Sequence, residues 1–122
     1  MPIVDVTIVV GRGETIAADL TQTLADVVGR ALNSPPSQTW VRLQLLAYDR
    51  YAENESNLTS TELPVFVVVL TRQLPDQLQL VETIAKLTHA ISEATDRPMD
   101  RVHIEYAPRA VGRVAFGGKL LE

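Results

Sequence analysis

The spacing of hydrophobic residues changes twice in the first part of the chain and predicts a strand, a helix and a second strand. Residues 3–10 are mostly β-branched, with alternate side chains on one face, which is the pattern of a strand. From Glu14 the apolar residues recur at steps of three and four, which predicts a helix of about five turns. The pair Pro35-Pro36 ends this helix, and residues 40–48 alternate again. The pattern therefore predicts a βαβ unit.

The second half of the chain repeats this plan after a polar connector. Residues 49–63 lean acidic and show neither period, so they predict a surface loop. Residues 64–70 form a continuous apolar run, typical of a strand that is covered on both faces. A second helix is predicted to begin at Pro75, with Asp76 in its first turn, and to close at residues 97–98.

Two further segments complete the predicted fold. Residues 101–106 alternate as a fourth strand, and residues 112–118 are rich in glycine and predict a short terminal strand or hairpin. The chain thus contains two consecutive βαβ units, residues 2–48 and 64–118, in one domain of residues 1–122. Right-handed crossovers would set both helices on one face of a single four-stranded mixed sheet, an α+β (α/β) arrangement. The other face has no cover from its own chain, which predicts an oligomer in which sheets pack on sheets.

Composition and charge narrow the classes of function. The 122 residues include no cysteine and two histidines, so the sequence predicts chemistry without disulfides, a protein-bound metal or an organic cofactor. A net charge of −4 argues against a nucleic-acid partner. The chain has neither a signal-peptide pattern nor a long apolar run, and we therefore expect a cytoplasmic protein with no membrane partner. Most of the basic residues are arginine, which binds carboxylates bidentately, and this favours an anionic small molecule as ligand.

Pro2 is the residue with the most distinctive potential chemistry. If Met1 is removed, Pro2 becomes a free secondary amine, which is a nucleophile and a proton acceptor near neutral pH. The alternative is that Pro2 merely follows the start codon and opens a strand. Pro2 taken alone favours that alternative, and the rest of the chain raises the chemical interpretation.

Four short segments of the chain carry a resemblance to a known family. They are Pro2-Ile3-Val4, Val9-Val10-Gly11-Arg12, Val41-Arg42 after a proline-containing turn, and the glycine-rich stretch 112–118. Over nearly its whole length the chain resembles the tautomerase superfamily, which includes 4-oxalocrotonate tautomerase and macrophage migration inhibitory factor. The resemblance implies a fold of βαβ units, a catalytic amino-terminal proline and, for a chain with two units, a homotrimer.

The same resemblance implies an activity and a set of site residues. The expected enzyme is a cofactor-independent tautomerase that interconverts keto and enol forms of a small 2-oxo or 2-hydroxydienoate carboxylate. Pro2 would be general base and acid, because apolar burial beside arginine lowers the pKa of its amine and leaves it neutral. The candidate substrate-binding residues are Arg12, Arg42, His103, Arg113 and Phe116.

Several of these side chains also have structural alternatives. Arg12 could be an exposed charge in a turn, and Arg42 could form an ion pair at a subunit contact. Arg113 could reach a neighbouring site or simply keep an edge strand soluble. His103 and Glu105 share a strand face, where they could handle a proton together or where the histidine could be an interface residue.

The sequence also departs from the pattern of the superfamily. His103 stands where the second unit would carry its strand arginine. Val114 stands at the position of a pocket aromatic, with Phe116 two residues on as a replacement. Ser34 stands where the inhibitory factor has a lysine. These departures leave the substrate open.

Two other functions remain alternatives on the sequence. A hydratase, dehalogenase or decarboxylase of the same superfamily would need a carboxylate to aim water or substrate, and Asp49 and Glu105 are the candidates. A non-catalytic trimeric binding module would keep Met1, so that the nitrogen of Pro2 is an amide without basicity.

Overall fold

Strands and helices alternate along the chain, and the computed structural model describes them over residues 2–59 and 62–122. In chain order they are β1 (Ile3–Val10), α1 (Leu20–Ala31), β2 (Trp40–Ala47), β3 (Val65–Leu70), α2 (Gln77–Thr95), β4 (Val102–Tyr106), β5 (Ala115–Phe116) and β6 (Lys119–Leu120). Short 3-10 turns, Tyr48–Arg50 and Met99–Arg101, follow β2 and precede β4. Met1, on which the predicted proline chemistry depends, lies outside the described residues, as do residues 60 and 61 of the connector.

The four long strands form one mixed sheet in the order β2-β1-β3-β4. Each βαβ unit contributes a parallel pair, β1 with β2 and β3 with β4. The two central strands, β1 and β3, run antiparallel, with Ile3 opposite Leu70 and Ile8 opposite Val65. The predicted α+β fold, a four-stranded mixed sheet with two helices on one face, is confirmed.

The hydrophobic core lies between the sheet and the two helices. Its fully buried members from the central strands are Val4, Val6, Ile8, Val65, Val67 and Val69, and those from the helices are Leu24, Val28, Leu87 and Ile91. Burying one such side chain stabilises the fold by about 1.5–3 kcal/mol. The apolar stripes that the spacing of the sequence predicts are therefore the faces that the helices bury.

Helix α1 is shorter than the sequence predicts. It spans 12 residues from Leu20, whereas the apolar spacing predicts a start at Glu14. Glu14 is instead held in a turn, because its carboxylate accepts the N–H of Gly11 at 2.9 Å and pairs with Arg97. Glu14 therefore belongs to the turn after β1 and not to the helix.

Helix α2 also begins later than predicted. Asp76 is its N-cap rather than a residue of the first turn, since its side chain accepts the N–H of Gln79 at 2.9 Å. Pro75 therefore precedes the cap, and Asp96, with a φ of 55°, ends the helix in the left-handed conformation. Within residues 2–59 and 62–122, no helix has the length and apolarity needed to cross a membrane.

The sheet face opposite the helices is open in the single chain and is more polar than its strand pattern predicts. Cross-strand neighbours form rows on it: Trp40, Ile3 and Leu70; Arg42, Asp5, Val68 and Glu105; Gln44, Thr7, Phe66 and His103. Trp40 and Phe66 are 45% and 38% exposed. This open face thus combines apolar and charged groups.

The carboxyl-terminal segment ends in the predicted hairpin. β5 and β6 pair antiparallel across Gly117 and Gly118, whose φ values are 59° and 86°. Two successive positive φ values match a tight two-residue hairpin turn, which glycine adopts without strain. The hairpin brings the ring of Phe116 edge-on to Trp40, with ring centres 5.6 Å apart.

Candidate functional site

Pro2 lies at the beginning of β1 and is partly buried. Its carbonyl accepts the N–H of Trp40 at 2.9 Å, which fixes the start of β1 against the start of β2. The indole of Trp40 donates to the carbonyl of Ser37 at 3.0 Å, and Phe116 packs on the same indole. Pro2 and Phe116, both predicted from the sequence, therefore share one end of the sheet, which we call the Pro2 end.

Arg42 lies on the open face of β2, two residues beyond Trp40. Its Nε and Nη2 donate to the carboxylate of Asp5 at 2.5 and 2.8 Å, and this hydrogen-bonded pair raises the pKa of the guanidinium. The side chains remain 70% and 44% exposed. In the single chain, Asp5 thus occupies the arginine fork that the sequence assigns to a substrate carboxylate.

Arg72 is a further cation at the Pro2 end, and the sequence analysis did not single it out. Because Ile3 pairs with Leu70, the chain leaves β3 through Thr71 and Arg72 beside the beginning of β1. The side chain of Arg72 is exposed, and its Nη2 donates to the backbone oxygen of Glu122. Arg72 could have been predicted only from the antiparallel pairing of the two units. This pairing places the residues after β3 next to the residues before β1.

Arg113 lies in the loop before the terminal hairpin. Its Nη1 donates to the carbonyls of Pro108 and Arg109 at 3.1 and 2.9 Å. The guanidinium therefore braces its own loop in the single chain, and its predicted reach into a neighbouring site stays a prediction.

Arg12 lies at the opposite end of β1 from Pro2, which we call the Arg12 end. The strand between them has eight residues and spans about 26 Å. Arg12 donates from Nε to the hydroxyl of Tyr48 at 3.0 Å, with its guanidinium carbon 6.0 Å from the centre of that ring. Pro2 and Arg12 of one chain therefore do not form a common site, and a site with both needs a second copy.

His103 also lies toward the Arg12 end. Its ring stacks at a tilt on Phe66, with centres 5.5 Å apart, and Phe66 meets Tyr51 at 5.7 Å. Glu53 accepts the hydroxyl of Tyr51 at 2.6 Å and pairs with Arg101. His103 thus belongs to a cluster on the connector and the start of β4, well away from Pro2 of its own chain.

Hydrogen bonds and burial shift the pKa values of several groups in this cluster, including Glu53 and Tyr51. The hydrogen bond from Tyr51, followed by the one from Arg101, holds the pKa of Glu53 below its usual value. Burial, followed by the bond to Glu53, raises the pKa of the Tyr51 phenol. Glu53 is therefore ionised and already partnered at neutral pH.

An ion pair between the buried Arg97 and the more exposed Glu14 supports the turn that carries Arg12. Arg97 is 7% exposed, and its terminal nitrogens donate to both carboxylate oxygens of Glu14, at 2.9 and 2.8 Å. Nη2 also donates to the carbonyl of Val9 at 2.9 Å. The hydrogen bond from Arg97 is the largest cause that lowers the pKa of Glu14.

Neither candidate carboxylate of the alternative enzymes lies beside Pro2. Asp49 is in the 3-10 turn after β2, at the Arg12 end. Glu105 lies on the open face of the edge strand β4, in the row of Val68, Asp5 and Arg42.

The sheet of two parallel pairs joined antiparallel, with both helices on one face, is the fold of the tautomerase superfamily. No protein-family model matches the sequence, and a comparison with curated proteins finds no match. Solved structures do match. The chain is similar to macrophage migration inhibitory factor from Trichinella spiralis, with a TM-score of 0.72 and 16% identity over 96% of this chain and 97% of that one.

Two further solved structures extend the likeness. A wild-type fused 4-OT in an asymmetric trimer has a TM-score of 0.75 and 18% identity, over 97% of this chain and 94% of that one. A member of the cis-3-chloroacrylic acid dehalogenase family has a TM-score of 0.78 and 14% identity, over 98% of this chain and 83% of that one. At these identities the likeness establishes the fold, and the function has to be argued from the site.

Proposed function

We propose that this protein is a cofactor-independent, cytoplasmic tautomerase of small 2-oxo or 2-hydroxydienoate carboxylates. Pro2, freed by removal of Met1, is its general base and acid. The observation that carries the proposal is the position of Pro2 at the start of a central strand. There its carbonyl is fixed by Trp40, and aromatic and arginine side chains gather around the same end of the sheet.

The chemistry follows from a neutral secondary amine in that setting. A free α-amino group titrates near pH 8, and partial burial beside arginine shifts the pKa downward. The neutral nitrogen removes a proton from the carbon α to the substrate carbonyl, and the electron pair moves to the carbonyl oxygen. The protonated amine then returns the proton to the far end of the conjugated enol.

Arginine side chains would supply the carboxylate binding. Arg72 follows β3 beside the beginning of β1 and is the cation of the same chain that we assign to the substrate carboxylate, which would replace the oxygen of Glu122 as its acceptor. Arg42 is also on this half of the open face, but a substrate has to displace Asp5 to use its fork. A second arginine of this kind would stabilise the developing oxyanion.

We include a homotrimer in the proposal. The open face exposes Trp40 and Phe66 among charged groups, and a covering copy would bury them. A similar structure, the fused 4-OT, is an asymmetric trimer. In such an assembly a side chain of a second copy would complete the site at Pro2, and His103 and Arg113 are the candidates. A hydratase or decarboxylase gains no comparable support, since Asp49 lies at the Arg12 end and Glu105 lies on the edge strand β4, which β3 separates from β1.

The test compares three forms of the protein whose amino termini are verified by intact mass. Protein without Met1 should tautomerise phenylenolpyruvate, at a rate that rises as pH passes the pKa of the amine. Protein that retains Met1 should lose this rate, because the acylated nitrogen has no basic lone pair. Pro2→Ala without Met1 keeps a primary amine and should retain part of the rate. Equal turnover with and without Met1 would show that Pro2 is not the base, and no turnover by either form would favour the non-catalytic binding module.

A further inference from the structure

A cavity of ≈ 290 Å³ lies at the Arg12 end of the sheet. It is an open cavity, lined by residues of the turn after β1, the 3-10 turn after β2 and the connector. Its lining combines one cation and one carboxylate with aromatic, aliphatic and uncharged polar groups, and includes Arg12, Tyr48, Tyr51, Glu53, Leu58 and Leu63. The volume is near the lower end of the range of small-molecule pockets, and it therefore suits a compact ligand.

Arg12 is held at this cavity through its Nε, which leaves its two terminal nitrogens available to a ligand. The Nε donates to Tyr48, and the Tyr48 ring lies beneath the guanidinium. Among the described residues, the structure shows a hydrogen bond of Arg12 from Nε and none from its two terminal nitrogens. The ion pair of Glu14 with Arg97 braces the turn from the other side. An arginine fixed in this way presents terminal nitrogens at the spacing of a carboxylate.

The other charged group of the lining does not compensate Arg12. Glu53 accepts hydrogen bonds from Tyr51 and Arg101, and the positive charge of Arg101 compensates its negative charge. The remaining wall includes apolar side chains, with Leu63 only 5% exposed and Leu58 partly buried, beside the polar residues 56, 57 and 59. The cavity therefore places the positive charge of Arg12 beside aromatic and aliphatic groups in a partly polar wall.

We propose that this cavity is a second binding site, separate from Pro2, for a small carboxylate with a short aromatic or aliphatic body. The site contains no amine base. Pro64 precedes β3 as Pro2 precedes β1, and its carbonyl accepts the N–H of Val9 at this end, at 3.1 Å. The nitrogen of Pro64 lies within the chain as an amide, and its ring is fully buried. A ligand here is bound and is not turned over.

The experiment is an NMR titration of the full chain with benzoate, with benzamide as the uncharged probe of the same shape. Benzoate should shift the amides of Gly11, Tyr48 and Leu58. Arg12→Gln should weaken this binding at least about tenfold, because a hydrogen-bonded charge pair is lost. The control is Arg50→Gln, which removes the same charge from an exposed position outside the cavity lining and should leave the affinity unchanged.

Two further measurements keep the proposal falsifiable. Tyr48→Phe retains the ring but removes the acceptor of Nε, and it should weaken benzoate less than Arg12→Gln does. Benzamide should bind more weakly than benzoate and should not respond to Arg12→Gln. Shifts confined to Trp40 and Phe116 would assign benzoate to the Pro2 end and overturn the proposal. Equal loss in Arg12→Gln and Arg50→Gln, or no binding at all, would overturn it as well.

Discussion

Three arginine side chains of this protein differ mainly in the acceptors that already hold them. Arg97 is nearly buried and gives its terminal nitrogens to Glu14 and to a carbonyl of β1. Arg42 is exposed and bidentate to Asp5. Arg12 is anchored through Nε alone. The sequence cannot separate these roles, because each acceptor is distant along the chain.

Glu14→Gln should destabilise the protein in a pH-dependent way. The partner Arg97 lowers the pKa of Glu14 in the folded state below its ordinary value of 4.5. The stabilisation is therefore present above pH 4.5 and is lost as pH falls through the folded-state pKa. At pH 7 the variant should lose about 1.5–3 kcal/mol of unfolding free energy, the range for hydrogen bonds to charged groups.

Urea denaturation at pH 7 and in a series below pH 4.5 measures this difference. Glu93→Gln is the matched control, since Glu93 is an exposed carboxylate whose ion pair, within the described part of the chain, is with His89 one turn away. The control should differ little from the parent at either pH. A Glu14→Gln deficit that stays constant down to acid pH would contradict the assignment of the ion pair.

Arg72→Gln tests the cation that the pairing of β1 with β3 brings to Pro2. The variant should raise KM for a carboxylated enol at least about tenfold, because a charge-assisted contact to the carboxylate is lost. An uncharged enol should show no such increase. Arg109→Gln removes an exposed arginine elsewhere in the carboxyl-terminal segment and is the control. Equal effects on the two substrates would remove Arg72 from the proposed site.

At the scale of elements, the spacing of apolar residues predicts the strands and both helices but not all of their ends. The start of α1 escapes prediction because Glu14 is held by Arg97, 83 positions away. The start of α2 could have been predicted from the local sequence, since an aspartate such as Asp76 before an amphipathic helix is a typical N-cap. Long-range side-chain contacts, rather than weak local preferences, therefore explain the larger error.

Gly118→Ala tests how the terminal hairpin supports the Pro2 end. Gly118 has a φ of 86°, and an alanine there should cost about 1–2 kcal/mol of unfolding free energy. The strain should also loosen the contact of Phe116 with Trp40 and change the fluorescence of this single tryptophan. Gly13→Ala, at a φ of 70° in an equally open turn, should cost a similar amount and leave the fluorescence unchanged.

At the scale of the whole molecule, the antiparallel pairing of β1 with β3 determines which candidate residues can meet. Pro2, Arg42 and Phe116 lie toward one end of the sheet, whereas Arg12 and His103 lie toward the other. Side-chain alternation is the same in parallel and antiparallel strands, so the sequence predicts the strands without this pairing. The sequence therefore could not show that Arg12 and His103 lie at the other end of the sheet from Pro2.

The proposed trimer can be tested by a substitution on the open face of the sheet. Phe66→Lys introduces a charge on the open face and should convert a sedimenting trimer into smaller species at micromolar concentration. Leu78→Lys is the control, because Leu78 is 80% exposed on α2, on the helix side of the molecule. Sedimentation velocity distinguishes the forms. A parent chain that sediments as a stable monomer would remove the trimer from the proposal.

The antiparallel central pair has a consequence for the connectivity of the chain. The two ends of the sheet are built from similar parts, but a linear polypeptide supplies a free secondary amine to only one of them. A circular permutant that begins at Pro64 would move this amine from the Pro2 end to the Arg12 end. Pro64 precedes the first core-facing residue of β3, Val65, by one position, whereas Pro2 precedes that of β1, Val4, by two. The new amine would therefore point to the opposite side of the sheet from the amine of Pro2. The order in which the units are joined, as much as their side chains, thus determines where such chemistry is possible.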